Sequence, residues 1–267
     1  MTDVFRYASR EGVAADGLPY RLYVPSGVNR GPVLVAIHGI SRNVDEHFDV
    51  FVPVAERLGC ALVTPLFDEV RFEDYQRLGR RGRGARADLA LRNLLEEIRG
   101  GLWHGTTVWL FGYSGGAQFA HRYAMAHPED VRGAVLASAG WYTFPDRARA
   151  YPYGLRLGAE LAAATLRPGA FLRVPMLALV GDRDTERDDA LRSGPGIDRR
   201  QGWDRVERAR RWVSAMRDAA IERALEPRVH FSTLPGVGHS FPEAVKAGLA
   251  ERVFEFLSTD APTTGAR

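Results

Sequence analysis

The chain has 267 residues, of which 45% are hydrophobic and 26% charged, a composition typical of a globular domain. Its formal charge of +3 is small, and its densest basic stretch, residues 77–92, has no interleaved aromatic residues, which argues against nucleic acid as a partner. A single cysteine, Cys60, excludes an internal disulfide and a thiolate metal cluster. We therefore predict no metal and no other cofactor.

The first twenty residues contain no apolar signal-peptide core, and no later stretch approaches the roughly 18 continuous apolar residues of a membrane span. We expect a cytoplasmic protein without a membrane partner. We also expect one α/β domain over residues 1–258 and a disordered tail over 259–267, because the tail residues are small and polar. The oligomeric state stays open.

Strand-like and helix-like patterns alternate along the chain. The segment Tyr20–Val24 alternates polar and apolar residues, which predicts an early antiparallel strand. Continuously apolar runs then predict parallel strands buried on both faces, at Val33–Ile37, Ala61–Thr64, Thr107–Phe111, Gly133–Ala137, Met176–Val180 and Val229–Leu234. Helical spacing recurs at about 48–58, 86–99, 115–127, 203–225 and 243–257. This order predicts a mostly parallel twisted sheet with helices on both faces.

The segment GYSGG, residues 112–116, joins a predicted strand directly to a predicted helix. Gly112 and Gly116 lie two residues on either side of Ser114, which is the G-x-S-x-G spacing of a strained turn that exposes a serine hydroxyl. Glycines in turns and serines at helix caps also explain such clusters. We favour a nucleophile, which requires a base and an acid elsewhere in the chain.

Both groups follow predicted strands, where the functional residues of such sheets gather. The strand at 176–180 leads into GDRD, which offers Asp182 and Asp184, and the strand at 229–234 leads into PGVGHSF, which offers His239. Asp182 lies nearer its strand and is the better candidate for bracing the turn through backbone hydrogen bonds. The other six histidines have structural interpretations within strands, helices or loops.

The segments HGI, GYSGG, GDRD and GVGHSF, in this order at strand ends, resemble the α/β-hydrolase superfamily over residues 20–257. The resemblance implies a single-domain α/β-hydrolase fold, with Ser114 as nucleophile, His239 as general base and Asp184 as the acid that orients the imidazole. Within the superfamily, the chain has a general similarity to the intracellular polyhydroxybutyrate-depolymerase-like and dienelactone-hydrolase-like branches. Dienelactone hydrolase, however, carries a cysteine where Ser114 stands.

The predicted chemistry also needs two donors for the negative oxygen of a tetrahedral intermediate. The N–H of Gly115, at the start of a helix, is one candidate. The segment HGIS resembles the family's His-Gly oxyanion segment, which implies Ile40 as the second donor, with Ser41 as the alternative.

The segment SAGWYTFPD follows another strand, so Trp141 and Tyr142 either wall a substrate pocket or pack beneath the next loop. We assign them to the pocket. Residues 141–173 offer one short helix, at about 155–165, so no large separate lid domain is expected. The polar start of 185–226 either covers the mouth of the site or forms a surface loop.

We predict a serine hydrolase that cleaves a small-molecule carboxylic ester through an acyl-enzyme. A thioesterase or a serine peptidase uses the same three residues, and the sequence does not separate these activities. Epoxide hydrolases and dehalogenases are disfavoured because they need a carboxylate where Ser114 stands. A hypothesis of another class is a catalytically silent α/β-hydrolase fold that serves as a binding or scaffold protein.

Overall fold

The strands of the chain form one sheet with helices on both faces. We describe a computed structural model over residues 8–26, 31–79, 82–101, 103–105, 107–158, 161 and 166–259. The strands are β1 Ala8–Val13, β2 Pro19–Val24, β3 Val33–Ile37, β4 Ala61–Pro65, β5 Val108–Tyr113, β6 Val131–Ala137, β7 Met176–Gly181 and β8 Val229–Leu234. The helices are α1 Val44–Leu58, α2 Ala87–Gly101, α3 Gly115–Ala126, α4 Pro168–Phe171, α5 Pro195–Gln201, α6 Arg205–Ile221, α7 Phe241–Lys246 and α8 Leu249–Thr259, with a 3₁₀ turn at Tyr75–Arg77.

The strand order is β1-β2-β4-β3-β5-β6-β7-β8. The pairs β1–β2 and β2–β4 are antiparallel, and every later pair is parallel. The α/β-hydrolase fold expected from the sequence is therefore confirmed, including the antiparallel start and the absence of a separate lid domain in the described part of the chain.

Each central strand contributes to two hydrophobic cores because alternate residues point to opposite faces of a sheet. In β3, Val33, Val35 and Ile37 belong to the larger core, which also contains apolar side chains of α2, α3 and α6. Leu34 and Ala36 belong to the second core, with side chains of α1, α7 and α8. This arrangement explains why the sequence of a central strand is apolar without alternation.

Several predicted boundaries are wrong. The single helix expected at about 243–257 is two helices, because Gly248 adopts a φ of 93° between α7 and α8. Strand β1 and helices α4 and α5 were not predicted. Residues 155–158 form no helix, and 159–160 and 162–165 of that expected helix lie outside the described residues. Helix α8 extends to Thr259, the first residue of the expected tail, and residues 260–267 of that tail lie outside the described residues.

The described helices include none that is both long enough and apolar enough to cross a bilayer.

Candidate active site

Ser114 lies on a strained turn between β5 and α3. Its φ of 52° and ψ of −108° lie outside the usual regions for a residue with a side chain, and its N–H donates to the carbonyl of Ala137 at the end of β6 (2.8 Å). A Cβ on Gly112 would lie 2.3 Å from the backbone of Gly116, and one on Gly116 would lie 2.1 Å from the carbonyl oxygen of Ile37. Gly112 is therefore required where the start of α3 approaches β5, and Gly116 where the turn packs against β3.

The hydroxyl of Ser114 begins a chain of hydrogen bonds across three strand ends. Ser114 Oγ lies 3.1 Å from His239 Nε2, and His239 Nδ1 lies 2.9 Å from Asp184 Oδ2. Because a carboxylate only accepts, Nδ1 carries the proton and Nε2 is left to accept from the serine. The ring of His239 also stacks on Tyr113, with the centroids 5.5 Å apart.

Asp182 and Asp184 occupy different positions after β7. Asp182 Oδ1 accepts from the backbone N–H of Gly236 (2.7 Å), in the turn that leads from β8 to His239. Asp184 is buried, and it contacts the imidazole while Asp182 does not. The bracing contact expected for Asp182 is therefore present in the turn.

The two predicted oxyanion donors lie near Ser114, Ile40 in the loop after β3 and Gly115 at the start of α3. Within the described residues, the N–H of Ile40 donates no hydrogen bond, and that of Gly115 is the first of α3 and so has no partner inside the helix. A Cβ on Gly115 would lie 3.1 Å from Cγ2 of Ile40, so these two residues are adjacent. Two N–H groups are thus available beside the serine.

His38 fixes the shape of this loop, a contribution that the sequence did not indicate. Phe67 N donates to its Nε2 (3.0 Å), so its Nδ1–H donates to the carbonyl of Gly39 (2.7 Å). Burial lowers the pKa of His38 from 6.5 to about 4, which keeps the ring neutral. The hydroxyl of Tyr75 donates to the carbonyl of His38 (3.1 Å).

The hydroxyl and the imidazole open into a cavity of about 390 Å³. The segment between β7 and α6 contributes Ala190, so part of the 185–202 segment reaches the mouth of the site. Ser41 also lines it. The complete lining is Gly39, Ile40, Ser41, Asn43, Glu46, Tyr113, Ser114, Ala190, His239, Ser240, Phe241 and Pro242.

Trp141 and Tyr142 do not line this cavity, so their assignment to the substrate pocket is corrected. They are 4% and 1% exposed. The ring of Tyr142 stacks on Trp212 of α6 at 4.7 Å, and its backbone N–H and carbonyl bond to the side chain of Gln201. Both residues therefore pack beneath the following chain, which was the alternative interpretation.

A buried arginine lies behind the carboxylate of Asp184. Arg205, the first residue of α6, donates from Nη1 to Asp184 Oδ1 (3.2 Å) and from Nη2 to Asp188 Oδ1 (2.8 Å). No sequence pattern distinguishes Arg205, because arginine recurs throughout the chain.

Within the described residues, no group of three or more histidine, cysteine, aspartate or glutamate side chains could hold a metal ion.

Several solved structures are similar to this one. Poly(aspartic acid) hydrolase-1 from Sphingomonas sp. is 25% identical with a TM-score of 0.77, over 94% of this chain and 98% of that one. A poly(3-hydroxybutyrate) depolymerase from Bordetella parapertussis is 28% identical with a TM-score of 0.75, over 93% and 89%. Dienelactone hydrolase from Anabaena variabilis, at 18% identity and a TM-score of 0.53 over 95% and 97%, shares the fold.

No family model matches the chain, and no curated protein matches it either. The fold is nevertheless shared with similar structures over nearly the whole chain. These neighbours support a hydrolase. The chain is a member of the α/β-hydrolase superfamily.

Proposed function

We propose that the protein is a serine hydrolase that cleaves a small-molecule carboxylic ester through an acyl-enzyme. The observation that carries this proposal is the chain of hydrogen bonds from Ser114 through His239 to Asp184, with distances of 3.1 and 2.9 Å. A nucleophile within reach of a base, which is itself oriented by a third group, is the arrangement required for this chemistry.

In the proposed first half-reaction, Ser114 Oγ attacks the carbonyl carbon while His239 Nε2 takes the hydroxyl proton. The carbonyl oxygen becomes negative and accepts hydrogen bonds from the N–H groups of Ile40 and Gly115. Asp184 stabilises the imidazolium. His239 then gives the proton to the alkoxy oxygen, the bond from carbon to that oxygen breaks, and the alcohol leaves.

The second half-reaction repeats these steps with water. His239 takes a proton from the water, whose oxygen attacks the acyl carbon. When the second tetrahedral intermediate collapses, Ser114 Oγ leaves and recovers its proton from His239, and the carboxylic acid is released. Both halves use the same donors, so no further catalytic group is needed.

The ester class is supported by the name of one similar structure, a depolymerase of the polyester poly(3-hydroxybutyrate), which is 28% identical to this chain. The cavity beside Ser114 is lined mainly by apolar and uncharged residues, with Glu46 as the carboxylate in its lining and His239 as the base. This lining suits an uncharged acyl group.

A matched panel of nitrophenyl esters, thioesters and anilides of increasing acyl length tests the proposal. We expect kcat/KM to be highest on an ester, and turnover to be lost in Ser114→Ala. Faster turnover of thioesters or anilides would reassign the substrate class. No turnover of any member, with a folded protein, would favour a silent binding or scaffold protein.

A further inference from the structure

The carboxylate of Asp184 is held from two sides. Its Oδ2 faces His239 and its Oδ1 faces Arg205, while the second arm of Arg205 reaches Asp188. From the imidazole outward, the groups are therefore a base, an anion, a cation and an anion. Asp184 and Arg205 are both 1% exposed.

Stability alone does not explain a buried arginine at this position. A buried ion pair is often no more stabilising than apolar side chains of similar volume, because both charges lose their hydration. In addition, Nε of Arg205 is buried and makes no hydrogen bond within the described residues. The guanidinium is nevertheless directed at the carboxylate that orients the imidazole.

We propose that Arg205 is a positioning residue that fixes the Asp184 carboxylate toward His239. The positive charge of Arg205, offset by the negative charge of Asp188, also sets how strongly the Asp184 carboxylate stabilises the imidazolium. This inference rests on the proposed function. A freely rotating carboxylate would offer His239 either oxygen or neither. The bond to Arg205 leaves one oxygen in place.

Substituting Arg205 leaves the other charged and polar groups around it and around His239 unchanged. Around His239 they are Ser114, Tyr113, Arg183, Glu186, Asp188 and Glu243, with Glu46 across the cavity. Around Arg205 they are Asp184, Asp188, Tyr113 and Arg208. Since Asp188 lies close to both His239 and Arg205, the decisive substitution is at Arg205.

The test compares Arg205→Met, which removes the charge, with Arg205→Lys, which keeps it but loses the fork that bridges both carboxylates. For Arg205→Met we expect the acidic limb of kcat/KM to move up by about one pH unit, because the imidazolium is no longer opposed by a cation. We expect kcat to fall between about 10- and 100-fold at unchanged KM, the effect of a misplaced catalytic group. For Arg205→Lys we expect a lower kcat with the limb unmoved.

The same shift is measured without substrate by following the NMR signal of a ring C–H proton of His239 against pH, in a Ser114→Ala background. The signal is assigned by its loss in His239→Gln. If Arg205→Met does not fold, Asp188→Asn replaces it. We then expect the ring to protonate at lower pH. A smaller change is expected in Glu186→Gln, the matched control, because Glu186 is an exposed residue that lines a second cavity together with Asp188 and His239.

An unmoved resonance and an unmoved limb in Arg205→Met would overturn the inference, as would a shift to lower pH. If Asp188→Asn is used instead, a shift no larger than that of Glu186→Gln would overturn it. These results would leave the proposed function intact wherever Ser114→Ala abolishes ester turnover. Conversely, if no ester is hydrolysed, the resonance still decides the contribution of Arg205.

Discussion

The two aspartates after β7 allow a sharp test of the triad, since Asp184→Asn and Asp182→Asn are the same chemical change two residues apart. In Asp184→Asn the amide keeps one accepting oxygen. Arg205, which donates from 3.2 Å and has no acceptor of its own, claims that oxygen and turns the NH₂ group toward His239. Nδ1 must then accept, so the ring proton moves to Nε2 and the base is lost.

We expect kcat to fall by up to about 10⁴-fold in Asp184→Asn, which corresponds to roughly 5 kcal/mol of transition-state stabilisation. In Asp182→Asn the amide oxygen still accepts from Gly236 N, now without a full charge. The expected loss is about 1 kcal/mol of unfolding free energy with little change in rate.

Both variants are assayed for kcat/KM on a nitrophenyl ester and for the thermal midpoint of unfolding. Retained folding in Asp184→Asn separates a catalytic loss from a structural one. An inactive Asp182→Asn beside an active Asp184→Asn would reverse the two roles.

Two further predictions concern stability. Gly116→Ala places a Cβ 2.1 Å from the carbonyl oxygen of Ile37, so we expect the free energy of unfolding in urea to fall by about 1–3 kcal/mol. The control Gly169→Ala, whose Cβ has no atom within 4 Å, should be neutral or slightly stabilising. Equal effects of the two substitutions would contradict the packing argument. In the folded chain the pKa of His38 is lowered to about 4, so the unfolded chain binds a proton at this residue more readily than the folded chain. The contribution of neutral His38 to the free energy of unfolding is therefore complete above about pH 6.5 and is lost as the pH falls toward 4. The loss is about 3 kcal/mol at most. His38→Gln should lower the slope of unfolding free energy against pH by about one proton between pH 6 and 5, and an unchanged slope would exclude this source.

The central strands and the order of the site residues were predictable because each rests on a local constraint. A strand buried on both faces must be apolar throughout, and a serine at a positive φ needs glycines where neighbouring backbones approach. The choice of Asp184 over Asp182 came from the family resemblance and from the position of Asp182 nearer its strand, where it was expected to brace the turn. Only the distance from Asp184 to His239 places one of them at the imidazole.

What the sequence missed depends on contacts between distant segments. Tyr142 is buried because Trp212, seventy residues later, stacks on it, and no local pattern encodes that pairing. Arg205 is one of many arginines until α6 brings it to Asp184. His38 resembles any strand-end histidine until Phe67 and Gly39 fix its two nitrogens.

Covalent labelling of the folded protein with a fluorophosphonate probe, followed by mass mapping of the modified peptide, tests directly whether Ser114 is the nucleophile. We expect one adduct, on Ser114, that forms slowly in His239→Gln and not at all in Ser114→Ala. An unlabelled wild-type protein, or an adduct on another residue, would contradict this assignment.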